Sequence, residues 1–255
     1  MDKQKVIFED LGIINYKSAW DYQEELVKKN IDIKVQHRKL MQNPGNVLPT
    51  FNYELSTENY LLFCEHPPVY TLGKSGHIEN VLLNETEMEE KEIEFFRTNR
   101  GGDITFHGLQ QVVGYPIIDL EKFYTDIGKY LRSLEEMIIL TIAEYGIKGE
   151  RSQGETGVWI EPGIAGKERK ICAMGIRCSR WITMHGFALN VNTDLSYFSN
   201  IIPCGIVNKQ VTSIEKELNQ KVDFQEVKEK LKKNFEEVFN VNITSVHGPL
   251  HSAQV

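Results

Sequence analysis

The 255-residue sequence has few cysteines, no long apolar run and no block of basic residues. Its four cysteines, Cys64, Cys172, Cys178 and Cys204, are too few and too scattered for a disulfide scaffold. No stretch reaches the roughly 18 consecutive apolar residues of a membrane-spanning helix, and the first residues carry no signal-peptide core. We therefore expect a cytoplasmic protein with reduced thiols and no membrane partner.

Positive charge is also scarce. Lys and Arg number 29 against 36 Asp and Glu, which gives a formal net charge of −7. Binding to nucleic acid depends on clustered Lys and Arg that neutralise phosphates, so a nucleic-acid partner is not expected. The hydrophobic fraction of 41% and the charged fraction of 25% are ordinary for a globular domain.

Familiar cofactor and metal motifs are incomplete or missing. The segment LGKSG at 72–76 has Pro68 where a phosphate-binding loop needs its first glycine. A tetrahedral zinc site needs closely spaced ligand pairs such as CxxC or HxxxH. No such pair occurs among the candidate ligands Cys172, Cys178, His185 and Cys204. The sequence also has no GxSxG motif of a serine nucleophile and no GxGxxG motif of a dinucleotide site. We predict no metal and no cofactor.

Hydrophobic periodicity predicts three helices and seven strands. One helix at 16–29 has an apolar stripe after Asn15, a second at 126–145 ends before Gly146, and a third begins after Asp223. Apolar or β-branched runs predict strands at 60–64, 69–72, 93–97, 111–120, 157–161, 170–178 and 186–191.

We expect one α/β (α+β) domain with a mixed β-sheet flanked by helices over residues 1–215. Residues 216–255 are predicted to be a helical appendage and loose tail of the same domain, with the last fifteen residues loosely held. Residues 41–52 contain two prolines and a glycine and are predicted to be a surface loop.

The segment NRGGDITFHG at 99–108 places an arginine, two adjacent glycines and a histidine close together. Paired glycines let a backbone approach a ligand closely, and Arg and His supply hydrogen-bond donors. The segment is therefore a candidate substrate loop. A tight turn between strands with a surface arginine explains the same spacing.

The segment RKICAMGIRC at 169–178 is a predicted strand that carries Lys170 at its start. Burial lowers the pKa of a lysine and makes the amine a better proton acceptor near neutrality. Strict alternation puts Lys170, Cys172 and Met174 on one face of this strand. The alternative is a lysine at a strand edge whose amine reaches solvent.

The segment HGFALNVNTDLSYFSNIIPCG at 185–205 runs from a strand into a Pro-Cys-Gly turn. Proline before and glycine after Cys204 fix a bend that can present the thiol. A nucleophilic thiol must be partly exposed and have a lowered pKa, usually beside a cation. A buried structural cysteine is the alternative.

Taken in this order, the three segments resemble the lipoyl(octanoyl) transferase family, whose members carry an RGG loop with T.HG, a lysine strand, HG.ALNV and a PCG turn. EHPPVYTLG at 65–73 and VGYPIIDL at 113–120 extend the resemblance over residues 60–206. It implies a fold related to biotin and lipoate protein ligases. It also implies ATP-independent transfer of an octanoyl group from octanoyl-acyl carrier protein to a lysine of lipoyl domains, in 2-oxoacid dehydrogenase complexes and the glycine cleavage H protein.

The resemblance also implies roles for residues. Cys204 is the nucleophile that carries the acyl group as a thioester, and Lys170 is the general base that lowers the pKa of this thiol. The acyl pocket is implied to be lined by Arg100, Gly101, Gly102, Asp103, Ile104, Thr105, Phe106 and His107, by Ala173, Met174 and Gly175, and by Gly186, Phe187 and Ala188. The other three cysteines are expected to be structural, and a monomer is expected.

One motif departs from the family pattern. HGLQQ at 107–111 has Leu109 and Gln110 where members commonly have proline and glycine, so a differently closed loop is expected. Two other functions stay open. One is an ATP-dependent lipoate-protein ligase on the same fold, which needs no nucleophilic cysteine. The other is a protein that only binds lipoyl domains.

Overall fold

The computed structural model describes residues 3–42, 56–202 and 210–245, so most of the predicted loop at 41–52 lies outside the described residues. Within these ranges the chain forms eleven strands and five α-helices. The strands are β1 (Gln4–Ile13), β2 (Asn59–Glu65), β3 (Val69–Leu72), β4 (Glu94–Arg97), β5 (Ile104–His107), β6 (Gln111–Ile117), β7 (Val158–Ile160), β8 (Arg169–Ser179), β9 (Ile182–Asn190), β10 (Gln210–Val211) and β11 (Val241–Ser245). The helices are α1 (Tyr16–Gln42), α2 (Glu85–Glu90), α3 (Ile127–Ala143), α4 (Ile214–Leu218) and α5 (Phe224–Phe239).

The strands form two sheets. The larger sheet has the order β10-β8-β9-β6-β2-β1-β11, with β7 added beside β8, and the smaller sheet has the order β4-β3-β5. In the larger sheet β2, β6, β9 and β8 pair antiparallel, whereas β1 pairs parallel with both of its neighbours, β2 and β11. The predicted class, a mixed sheet flanked by helices, is confirmed.

Helices α3 and α5 cover one face of the larger sheet. Leu134 and Ile138 of α3 pack with Leu231 and Phe235 of α5 in an apolar cluster that includes residues of β1, β6, β8 and β9. All four side chains are fully buried. Burying a side chain of this size stabilises the fold by roughly 1.5–3 kcal/mol, so this cluster contributes substantially to stability.

The other face of the larger sheet is covered by α1 and by the smaller sheet. The buried residues of α1 include Tyr16, Ala19, Gln23, Leu26 and Val27, as the predicted stripe requires, but the helix continues well past residue 29. None of the helices in the described ranges is long and apolar enough to cross a membrane.

The C-terminal residues differ from the predicted loose tail. Strand β11 pairs parallel with β1, with Gln4 opposite Val241 and Phe8 opposite Ser245. A strand of five residues with alternating polar side chains gives a weak local signal, and its partner lies at the other end of the chain. The pairing therefore cannot be read from the local pattern. Residues 246–255 lie outside the described residues.

Candidate active site

A cavity lies between the two sheets, with its floor on the larger one. Three pairs of residues line the floor at successive positions along the strands: Gln111 with Asn190, Val113 with Ala188, and Gly175 with Gly186. Positions two apart on one face of a strand are about 7 Å apart. The floor is therefore polar at one end, apolar in the middle and flat at the glycine end.

The RGG loop packs directly on the glycine end of the floor. The Gly101 N–H donates to the Ile176 carbonyl of β8 at 2.9 Å. A Cβ atom on Gly175 would lie 2.6 Å from the Gly101 carbonyl oxygen, which is too close for any other residue. Gly175 of β8 thus permits the close approach of the loop backbone to the strand, which closes one end of the cavity.

The Arg100 side chain stabilises this loop through hydrogen bonds. Its Nη2 donates to the carbonyl and hydroxyl oxygens of Thr71 at 2.5 and 2.9 Å, and its Nη1 donates to the Gly101 carbonyl at 3.0 Å. The side chain is 7% exposed, so the alternative of a surface arginine in a simple turn is wrong.

Lys170 also lines the cavity, and it does not lie at a sheet edge. Strand β7 pairs with β8 on one side of it and β10 on the other, with Trp159 and Val211 as its direct neighbours. Its Nζ lies 4.5 Å from the centre of the Trp159 ring, which attracts a cation. The position at a strand edge is therefore wrong, although the side chain of Lys170 is half-buried and not fully buried.

A β-bulge corrects the predicted alternation of this strand. Val158 pairs with Cys172 and Trp159 pairs with Lys170, so β8 has one extra residue, Ile171. Ile171 and Cys172 both belong to the apolar cluster beneath the sheet, whereas Lys170 lines the cavity. A bulge turns the following side chains to the other face. Lys170 and Cys172 consequently do not share a face as strict alternation predicts.

Gly157 packs beside the bulge. Its φ is +106°, and a Cβ atom there would lie 2.5 Å from the Cys172 carbonyl oxygen. We expect Gly157→Ala to lower the free energy of unfolding by about 1–3 kcal/mol, because it adds overpacking to backbone strain. The matched control is Gly154→Ala, since Gly154 has φ +80° but nothing within 4 Å of its Cβ position. Urea unfolding should show a smaller loss for Gly154→Ala; equal losses would exclude the overpacking.

The HGLQQ departure leaves a closed turn. Gln110 has φ +59°, the left-handed conformation that a glycine adopts at no cost. Its N–H donates to Glu65 Oε2 at 2.6 Å, and its carbonyl accepts from the Asn192 N–H and the Thr193 hydroxyl. These contacts hold Gln110 in the conformation that glycine would take, so the expectation of a differently closed loop has no support in this turn.

Two buried histidines beside the cavity are held as neutral rings. His66 donates from Nδ1 to the Ile14 carbonyl, so its Nε2 accepts from the Tyr115 hydroxyl, each at 2.7 Å. His107 donates from Nδ1 to Gln111 Oε1 at 2.9 Å. Burial lowers the pKa of His66 to about 4 and that of His107 well below its usual range. Burial also lowers the pKa of His185 to about 3.

These three histidines predict a loss of stability in mild acid. The unfolded chain binds protons on them below about pH 6.5, whereas the folded protein does not until about pH 4 or lower, so the free energy of unfolding falls as the pH falls through that window. We expect urea unfolding to show a decrease of about 1.4 kcal/mol per histidine between pH 7.5 and 5.5. His66→Gln should reduce the decrease, while His77→Gln on the exposed surface should not; an unchanged slope in His66→Gln contradicts the assignment.

The predicted nucleophile, Cys204, lies outside the described residues. The chain on both sides of residues 203–209 does reach the cavity, since Phe198 and Val211 both line it. The Ile202 N–H donates to the Asn80 carbonyl, and the Asn80 side chain donates to Asp103 at the cavity wall.

The remaining cysteines lie in the described part of the chain. Cys64 and Cys172 are buried and Cys178 is half-buried. Burial raises the pKa of all three thiols, which keeps them protonated and favours the structural role that is predicted for them.

The structure brings most of the predicted pocket residues together. Those that line the cavity are Arg100, Gly102, Asp103, Ile104, Thr105, His107, Lys170, Ala173, Met174, Gly175, Gly186, Phe187 and Ala188. Among the described residues, Gly101 and Phe106 are not part of the cavity wall. Gly101 faces β8, and Phe106 stacks on Tyr197 with ring centres 4.6 Å apart.

Other lining residues were missed by the sequence argument: Tyr16, Gln111, Val113, Tyr115, Thr156, His185, Asn190, Phe198 and Val211. Tyr16 is in the predicted helix stripe and Val113 in a predicted strand, but only the pairing of β6 with β9 shows that Val113 lies beside Ala188. Among the described residues no group of three or more His, Cys, Asp or Glu could hold a metal ion.

Comparison with known proteins extends these observations. The model of the lipoyl protein ligase A/B catalytic domain matches residues 15–236. The octanoyltransferases of Christiangramia forsetii and Flavobacterium johnsoniae are each 56% identical to this chain over 241 residues, which is 94% of this chain and 98% and 99% of those proteins.

Solved structures show the same fold at low identity. A bi-partite lipoate protein ligase from Thermoplasma acidophilum matches with a TM-score of 0.63 and 16% identity over 98% of this chain and 89% of that chain. Lipoate-protein ligase A bound with ATP matches with a TM-score of 0.63 and 14% identity, over 98% and 91% of the two chains. The resemblance indicated by the motifs is confirmed. The chain belongs to the lipoyl protein ligase A/B catalytic domain family and, within it, to the octanoyltransferases.

Proposed function

We propose that this enzyme transfers an octanoyl group from octanoyl-acyl carrier protein to a lysine of lipoyl domains through a thioester on Cys204. One observation carries the proposal: Lys170 lines the same cavity as the chain on both sides of residues 203–209. Phe198 lines it before this segment, and Val211, the strand neighbour of Lys170, lines it after the segment. The apolar middle of the floor, at Val113 and Ala188, is suited to an alkyl chain.

The first half of the reaction loads the enzyme. Lys170 Nζ takes the proton from the Cys204 thiol, and the thiolate attacks the carbonyl carbon of the octanoyl thioester. The tetrahedral intermediate collapses, the bond to the carrier sulfur breaks, and the carrier leaves as its thiol after taking the proton from Lys170. The octanoyl group is then a thioester of Cys204.

The second half delivers the acyl group. Lys170 accepts a proton from the ε-ammonium of the lipoyl-domain lysine, and the free amine attacks the Cys204 thioester. The attacking nitrogen loses its second proton to the departing Cys204 sulfur, so the amide forms, the bond to Cys204 breaks and the thiol is regenerated. Lys170 releases the proton that it accepted to solvent. Backbone N–H groups are the donors we expect to hold the oxyanion in each half. No ATP is needed, because the donor is already an activated thioester.

The acceptors in this proposal are the lipoyl domains of 2-oxoacid dehydrogenase complexes and the glycine cleavage H protein. Their identity, the carrier-protein donor, the cytoplasmic location and the monomeric state stay predictions. The chemical group that these acceptors share is a lysine ε-amine, which we expect to enter the mouth of the cavity.

Intact-mass measurement tests the proposal as a class of reaction. The purified protein is mixed with octanoyl-acyl carrier protein without nucleotide, and a lipoyl domain is then added. We expect one octanoyl group on the enzyme, followed by its transfer to the lipoyl domain. Modification only with ATP and free octanoic acid would place the chain with the lipoate ligases, and binding of the lipoyl domain without modification would make it a binder.

A further inference from the structure

A buried carboxylate contacts the segment that leads into β7 and is not part of the cavity wall. Glu135 is on α3 and is fully buried. Its Oε1 accepts the Gly157 N–H at 3.1 Å, and its Oε2 accepts from Arg132 at 2.5 Å and from Arg151 at 3.1 Å. A buried carboxylate is retained only where such partners compensate for lost hydration. Glu135 therefore ties α3 firmly to the segment that leads into β7.

This segment sets the position of Lys170. A Cβ atom at Gly157 would be 3.7 Å from Lys170 Cδ, so Gly157 packs against the aliphatic stem of the lysine. Two residues later, Trp159 pairs with Lys170 across the bulge and lies under its Nζ. The Trp159 backbone is also bonded on its other side, through two hydrogen bonds with Glu150.

The bulge makes this support necessary. Lys170 reaches the cavity only because β8 carries the extra residue Ile171 against β7. A regular pairing of β7 with β8 would turn Lys170 toward the core. The bond from the Gly157 N–H to Glu135 fixes the start of β7 and thereby its register.

We propose that Glu135 is a positioning residue for the acyl transfer: through Gly157 and the bulged β7–β8 pairing, it holds Lys170 in the orientation that deprotonates Cys204. This inference rests on the role of Lys170 in the proposed function. Glu135 itself does not line the cavity and touches no substrate.

The test measures the single-turnover rate of octanoyl loading and the donor concentration that gives half of the maximal rate. Glu135→Leu removes the acceptor, and we expect its maximal loading rate to fall about 10²-fold with an unchanged half-saturating concentration. Glu135→Asp keeps the charge but withdraws the acceptor from Gly157, so it should also load slowly. It serves as the second variant if Glu135→Leu does not fold. Glu135→Gln keeps one acceptor oxygen for the Gly157 N–H but turns an NH2 donor toward Arg132 and Arg151, so it should load faster than Glu135→Leu and more slowly than the wild type.

The matched control is Glu136→Gln. Glu136 shares Arg151 with Glu135, at 2.5 Å, but makes no hydrogen bond to Gly157. Its loss should leave the loading rate unchanged. Wild-type rates in both Glu135→Leu and Glu135→Asp would overturn the proposal.

A double-mutant cycle separates this inference from the proposed function. In a Lys170→Met background, Glu135→Leu should cause no further loss of the residual loading rate, because its effect passes through Lys170. An equal further loss would show that Glu135 acts elsewhere and would overturn the inference alone. Wild-type loading by Lys170→Met would instead overturn the proposed role of the lysine, and the positioning role with it.

Discussion

Cys204→Ala is expected to abolish octanoyl loading and to lower turnover by at least about 10³-fold, because the acyl group loses its only proposed covalent carrier. The measurement is the intact mass of the protein after incubation with octanoyl-acyl carrier protein, alongside the rate of lipoyl-domain modification. Donor affinity should be nearly unchanged, since the substitution removes one sulfur atom and leaves the cavity walls intact.

The matched control is Cys178→Ala. Cys178 is the one half-buried cysteine among the three described ones, and burial raises the pKa of its thiol. Its loss should leave loading unchanged. A mass gain of one octanoyl group that persists in Cys204→Ala and disappears in Cys178→Ala would make Cys178 the nucleophile and contradict the proposed mechanism.

Lys170→Met is expected to slow octanoyl loading at pH 7 by about 10²–10⁴-fold, the usual contribution of a positioned proton acceptor. Methionine keeps an unbranched stem that can still pack between Gly157 and Trp159, so the loss should reflect the missing amine. Loading should recover by roughly twentyfold between pH 7 and 9, because solvent hydroxide then generates the Cys204 thiolate that the lysine no longer provides. Stopped-flow loading rates across this pH range check both statements.

Lys167→Met is the control for this substitution. Lys167 is exposed in the turn just before β8, and its change should alter neither the rate nor its pH dependence. Cys204→Ala should show no recovery at pH 9. If Lys170→Met loads at the wild-type rate at pH 7, another group deprotonates the thiol and the assignment of Lys170 is wrong.

The sequence predicted the elements with strong local patterns. Helix α3 and strand β3 have the periodicity or apolar runs that their burial requires, and their predicted bounds agree closely with the structure. Strands β1, β5, β10 and β11 were not predicted. β11 gains its order from a partner more than two hundred residues away, which no local pattern can encode.

The candidate site shows the same division. The motifs around Arg100 and Lys170 stand out because their residue types are unusual for their surroundings. No pattern in the sequence indicates the bulge at Ile171. Strict alternation therefore placed Lys170 on the same face of the strand as Cys172, which is wrong. The burial of Glu135 could not be predicted either, because an acidic residue on an amphipathic helix ordinarily lies on the solvent-facing side. Its burial depends on the tertiary position of Gly157.

The place of β1 between β2 and β11 has a consequence for biosynthesis. β1 is synthesised more than two hundred residues before β11, which is one of its two neighbours in the sheet. Until Val241 has emerged, the growing chain carries an unpaired strand edge, with Val6 and Phe8 lacking part of their apolar cover. This part of the sheet can therefore be completed only after β11 has been synthesised, and until then the free edge of β1 is a surface to which chaperones can bind.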